Sequence, residues 1–207
     1  MYDLIVIGSS LGGLHAVRRV LRSLPQDFSI PIAIAQHRKE GSKHTLEMLL
    51  QRSCNLNVRG IEDKDVIERG CVYVAPSDYH TIVEDGHFAL SLEPTTNFSF
   101  PSIDVLFESA SAAFGARVIG IILTGMNDDG TRGLSEMKRR GGLTIAQDPT
   151  TAKAPEMPQA AIDAKAVDLI LPLKDIGAFL ANIRAGDQEG NASQHESETN
   201  NENNETQ

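Results

Sequence analysis

The first 25 residues limit the fold more than any other part of the chain. Tyr2 to Ile7 is an apolar run that ends in the glycine-rich turn Gly8-Ser9-Ser10-Leu11-Gly12-Gly13. Leu14, Val17, Val20, Leu21 and Leu24 then recur at helical spacing until Pro25. A strand that turns tightly into an amphipathic helix opens a βα unit, and the pattern continues. Ile30–Gln36 reads as a strand, Thr45–Gln51 as a helix and Leu56–Ile61 as a strand. Strands alternating with helices predict an α/β fold: a doubly wound, mostly parallel open sheet of the Rossmann-like kind.

The middle of the chain departs from this alternation. After a short strand at Cys71–Ala75, the stretches Tyr79–Glu84 and His87–Leu92 flank Asp85-Gly86, a hairpin turn signal, and predict an antiparallel hairpin extension of the sheet. Asn97–Pro101 reads as loop and Ile103–Phe114 as helix. Arg117–Thr124 is the most hydrophobic run and is expected to be a central strand. The turn Gly125-Met126-Asn127-Asp128-Asp129-Gly130 leads into a helix through Arg140. A strand at Leu143–Gln147, a helix at Gln159–Ala164, a strand at Val167–Leu171 and a helix at Lys174–Arg184 complete one domain over residues 1–185.

Charge separates that domain from the chain's end. Residues 186–207 hold six acids and no Lys or Arg, so of a net charge of −9 only −3 belongs to the domain. With almost no apolar residues this stretch cannot offset the entropy of ordering, and a disordered acidic tail is expected. No basic stripe with interleaved aromatics argues for nucleic-acid binding, and no apolar run has the length of a membrane span. The acidic, strand-forming N-terminus lacks the features of a signal peptide, which points to the cytoplasm. Cys54 and Cys71 lie in or beside apolar stretches and read as buried free thiols rather than a disulfide or metal site.

Three reactive side chains fall immediately after three predicted strands, at the edge where open α/β sheets bind ligands. Ser10 follows the first strand, His37 the second, and Asp129 the strand ending at Thr124. A serine needs a base to take its proton, and the base needs an acid to hold its tautomer. Gly8-Ser9-Ser10-Leu11-Gly12 also fits the Gly-x-Ser-x-Gly turn that exposes a nucleophile, with the Leu11 N–H at a helix start as an oxyanion donor. Each residue has a plainer reading. Ser10 and its glycines suit a helix cap, His37 a polar residue at a strand end, and Asp128-Asp129 a solvated helix cap. Spacing does not choose between Asp128 and Asp129. Dinucleotide binding fits poorly, because the glycines stand as G-x-x-x-G-G and Gln36-His37 replaces the expected ribose-binding acid.

Six segments, VIGSSLGG, AQH, YVAPSDYH, PSIDVLF, ILTGMNDDG and AQDPTTAKAPEMPQAAI, occur in an order similar to that of the chemotaxis protein-glutamate methylesterase catalytic domains (CheB-type). The resemblance covers residues 2–183. It implies a triad of Ser10, His37 and Asp129, with the backbone N–H of Met126 joining that of Leu11 at the oxyanion. It further implies hydrolysis of glutamate γ-methyl esters on the cytoplasmic helices of a chemoreceptor, with deamidation of glutamines as a side activity. Neither a metal nor an organic cofactor is implied. Several positions depart from the family pattern. With a strand starting at Tyr2 no receiver domain is expected, and Leu11, Arg38, Phe100 and Pro155-Glu156 replace the usual residues. Two other readings of the same fold follow from these changes. One is a non-catalytic module that binds a receptor or a separate response regulator; the other is an esterase for an unrelated substrate.

Overall fold

The structure, a computed structural model, describes residues 1–38, 45–93 and 100–192. Seven strands form one parallel sheet: β1 (Leu4–Ser9), β2 (Ile32–Gln36), β3 (Asn57–Gly60), β4 (Cys71–Val74), β7 (Val118–Ile122), β8 (Leu143–Gln147) and β9 (Leu169–Leu171). Their order across the sheet is β3-β4-β2-β1-β7-β8-β9. The chain winds outward from β1 to one side, then crosses back to lay β7 on the other. The carboxyl ends of β1, β2 and β7 therefore flank the topological switch point, where the connecting loops splay apart and leave a crevice.

Strand periodicity assigns the two faces. In β1, Ile5 and Ile7 pack with one core and Leu4 and Val6 with the other. Helices α1 (Gly13–Arg22), α2 (Thr45–Gln51) and α6 (Leu173–Ala192) cover the first face. Helices α3 (Ile103–Phe114), α4 (Thr131–Arg139) and α5 (Glu156–Asp163) cover the second. Both faces of the central strands are dry, which is why they read as continuous apolar runs rather than alternating ones.

The expected hairpin is present as β5 (His80–Glu84) and β6 (His87–Ser91). It forms a two-stranded sheet of its own rather than an extension of the large sheet. Phe88 and Val83 tuck into the second core, the Val83 N–H donates to Ser109 Oγ on α3 at 3.1 Å, and β6 pairs with the segment before β4 through an antiparallel bridge between Val66 and His87, so the hairpin docks without pairing to the large sheet. Two helices differ from the spacing-based reading. α5 starts at Glu156 rather than Gln159, because Pro158 lies in the first turn, where a missing N–H costs no intrahelical bond. α6 runs on to Ala192, past the end of its apolar periodicity near Ile183, since extending a formed helix needs no new nucleus. Both cysteines are free thiols, Cys71 buried and Cys54 half-buried. Residues 193–207, most of the expected acidic tail, and the first part of the expected Asn97–Pro101 loop lie outside the described residues.

Candidate active site

Asp129 is completely buried, yet nothing about it is unsatisfied. Its Oδ2 accepts from the Ile103 N–H at 2.8 Å and lies 2.7 Å from His37 Nε2. Its Oδ1 accepts from the Asp104 N–H at 3.0 Å and from Ser102 Oγ at 3.3 Å. Ile103 and Asp104 open α3, and Ser102 is its N-cap, so the carboxylate sits on the positive end of that helix. Burial alone would raise the Asp129 pKa. The hydrogen bonds from His37, Ile103 and Asp104 outweigh it and hold the carboxyl below its ordinary value. An ionised carboxylate only accepts, so His37 must donate through Nε2. That fixes the tautomer and leaves Nδ1 with a free lone pair.

His37 is held at the end of β2 by its own N–H, which donates to the Ser9 carbonyl at 3.0 Å. Ser10 follows β1, with its N–H donating to the Thr124 carbonyl at 2.9 Å. Thr124 Oγ1 lies 2.9 Å from the Leu11 carbonyl and accepts from the Ala154 N–H at 2.9 Å, tying the serine turn to the loop before α5. Gly12 makes that turn possible: its φ is +86°, and an added Cβ would lie 2.9 Å from Lys153 Cβ. Ser10, Leu11, Gln36 and His37 line one cleft of about 560 Å³.

The structure thus brings Ser10, Leu11 and His37 to one cleft and joins His37 to Asp129. Ser10 Oγ has no hydrogen-bond partner among the described residues, His37 included; such bonds are often long in unliganded hydrolases. Met126 is exposed and does not line the cleft. Its turn nonetheless abuts the serine, since a Cβ at Gly125 would lie 2.9 Å from Ser10 Cβ. Among the described residues, no group of three or more His, Cys, Asp or Glu side chains is placed to hold a metal.

Sequence reasoning did not find Asp104. It is buried, and its Oδ1 accepts from the N–H groups of Gly130 and Gly133 at 2.9 and 2.8 Å. Gly130 is the N-cap of α4 and has no side chain to cap with. The two helices therefore exchange carboxylates: Asp129, just before α4, caps α3, while Asp104, inside α3, caps α4. Burial, together with the charge of Asp129, raises the Asp104 pKa to about 6, against the opposing Gly133 N–H and Arg132. Asp104 followed Ser102 in a Pro-Ser-x-Asp helix start, which signals a cap but not its distant partner. His80 falls in the Tyr79–Glu84 stretch that spacing assigns to the hairpin. It is buried, its Nδ1 accepts from the Ser102 N–H at 3.0 Å, and it stacks on Phe100.

A folded Asp104 keeps its proton up to about pH 6, whereas an unfolded one releases it near pH 4. The folded state binds more protons in that window, so this group's contribution is full below pH 4 and is lost as pH rises through 6. Asp104→Asn retains the acceptor oxygen and removes the charge. It is expected to stabilise the protein by about 1–2 kcal/mol at pH 8 and by little at pH 4. Urea unfolding at the two pH values measures this; an equal effect at both would contradict it.

Fold and cleft together define a doubly wound α/β domain with a serine and a His–Asp pair at its switch point. Comparison with known proteins narrows the class. The chain belongs to the CheB methylesterase family, whose model matches residues 5–180. It is 44% identical over 183 residues to a Leptospira interrogans protein named as a candidate protein-glutamate methylesterase/protein-glutamine glutaminase, covering 88% of this chain and 95% of that one. It is 43% identical over 180 residues to the protein-glutamate methylesterase FrzG of Myxococcus xanthus, covering 86% of this chain but only 54% of FrzG. The crystal structure of the Thermotoga maritima CheB methylesterase catalytic domain superposes with a TM-score of 0.84 at 33% identity, over 88% of this chain and 99% of that one.

Proposed function

We propose that the protein hydrolyses glutamate γ-methyl esters on the helices of a methylated chemoreceptor or receptor-like protein, acting from the cytoplasm. The observation that carries the reading is the 2.7 Å contact of His37 with a buried, ionised Asp129, beside a serine in the same cleft. Ser10 Oγ attacks the γ-carbonyl carbon as His37 Nδ1 takes its proton. The N–H groups of Leu11 and Met126, which have no partner among the described residues, receive the oxyanion. The intermediate collapses, the methoxide leaving group takes the proton from His37, and methanol departs from a glutamyl-Ser10 ester. Water then attacks that ester, giving its proton to Nδ1, and glutamate and free Ser10 are released. A glutamine side chain presents the same acyl carbon with ammonia as leaving group, so deamidation follows the same path.

The test is methanol release from a receptor fragment carrying methylated glutamates. Release by the full chain, with glutamate appearing at the modified positions, is the expected result. A folded protein that releases none would overturn the reading.

A further inference from the structure

One face of α1 carries a histidine and three arginines that this chemistry does not use. His15, Arg18, Arg19 and Arg22 stand at i, i+3, i+4 and i+7, opposite the buried Gly13, Ala16, Val17, Val20 and Leu21. The catalytic cleft takes in His15, Arg18 and Lys153. A second hollow of about 300 Å³ shares His15 and Arg18 with it and continues over Arg19, Arg22 and Lys174. The two form one basic path that begins at Ser10 and runs down the helix.

Ion pairs neutralise many of the other cations but none on this path. Arg59, Arg117, Arg132, Lys138, Arg139 and Arg140 each lie within 4.0 Å of a carboxylate oxygen. Among the described residues, Arg18, Arg19, Arg22, Lys153 and Lys174 have no such partner; neither do Arg52, Lys64, Arg69 and Lys165, but those four line neither hollow. Favourable interaction with the carboxyl end of α1 accounts for Arg19 and Arg22, which lie in its last turn. It does not account for His15, for Lys153 on another loop, or for Lys174 on α6. Arg18 is also fixed in place, its Nε donating to Ser53 Oγ at 2.6 Å. In a chain of net charge −9 this is a concentrated, uncompensated positive surface at the mouth of the site.

We propose that this path is a docking track for an acidic helical segment of the protein substrate, a role that presupposes the methylesterase reading. Carboxylates one and two turns along the partner helix pair with Arg18, Arg19, Arg22 and Lys174 while one esterified glutamate enters the cleft. From His15 to Arg22 the track rises about 10 Å, close to two turns of a partner helix. Such pairing steers encounter and fixes register, and it weakens with salt.

Binding of a labelled helical peptide to the full-length Ser10→Ala chain tests this without turnover. The peptide carries one glutamate γ-methyl ester with glutamates at successive turns; its counterpart has glutamines in their place. At low ionic strength the acidic peptide is expected to bind roughly tenfold more tightly than its counterpart. The double variant Arg19→Glu/Arg22→Glu should lose most of that preference, whereas Arg69→Glu, an exposed charge off the track, should keep it. Equal affinity for both peptides, or a preference untouched by the double variant, would overturn the track. So would binding that emerges only after residues 193–207 are deleted, since the chain's own acidic end would then be the occupant. A peptide bound with this preference but never hydrolysed by the native serine enzyme would instead defeat the methylesterase reading and leave the track standing.

Discussion

Asp129→Asn is expected to lower kcat/KM for a glutamyl methyl ester by about 10⁴ and to destabilise the fold as well. The activity loss follows from the tautomer. An amide in place of the carboxylate offers one acceptor oxygen and one donor group, while the native site presents four donors to the two oxygens. If the amide nitrogen takes the place of Oδ2, it meets the Ile103 N–H and can satisfy His37 only by accepting nothing from it. The imidazole then turns its lone pair toward Asn and its proton toward Ser10, the wrong tautomer for a base. If the nitrogen takes the place of Oδ1, it faces the Asp104 N–H instead. Either orientation leaves a buried backbone donor at the start of α3 unpaired, at a cost of about 1–3 kcal/mol. Relief of the repulsion with Asp104 offsets part of this, and the Asp104 pKa should fall toward its ordinary value. Paired measurements of ester hydrolysis and urea midpoint read both effects; full activity with a normal midpoint would contradict the role given to Asp129.

Ser10→Ala is expected to remove at least about 10⁴ of kcat/KM while leaving stability almost unchanged. Ser10 Oγ has no hydrogen-bond partner among the described residues, so its loss orphans nothing, and the change in stability should stay within about 0.5 kcal/mol. The contrast with Asp129→Asn is informative. One residue is proposed to act only in the reaction; the other is proposed to serve the reaction and also caps α3. A Ser10→Ala protein that retained activity would point to another nucleophile, and one that lost stability would point to a structural serine.

The contrast also shows which features were legible in the sequence. β1, its glycine-rich turn and α1 could be read because apolar periodicity and turn residues are local signals. β8 and α3 fall at the residues their spacing indicates for the same reason. The hairpin was legible from Asp85-Gly86, but not its separation from the large sheet, which depends on how Val83 and Phe88 find the distant second core. The choice between Asp128 and Asp129 could not be made from register and came only from resemblance. In the structure it is a matter of burial: Asp129 alone faces the N-terminus of α3. Asp104 was missed because its partners, Gly130 and Gly133, lie on another helix and leave no pattern near it in the chain. The cationic stripe on α1 was present in the sequence as polar residues on an amphipathic helix. Only the contiguity of two hollows, one of them holding Ser10, sets it apart from an ordinary solvated face.

Ser10 is proposed to be a nucleophile activated through His37. A fluorophosphonate probe followed by mass spectrometry of the peptides tests it most directly. Ser9, one residue away, is a built-in control, since it is fully buried and its hydroxyl has no hydrogen-bond partner among the described residues. One adduct is expected, on Ser10, absent in Ser10→Ala and formed far more slowly in Asp129→Asn. Failure of the folded chain to label, or an adduct on any other serine, would contradict it.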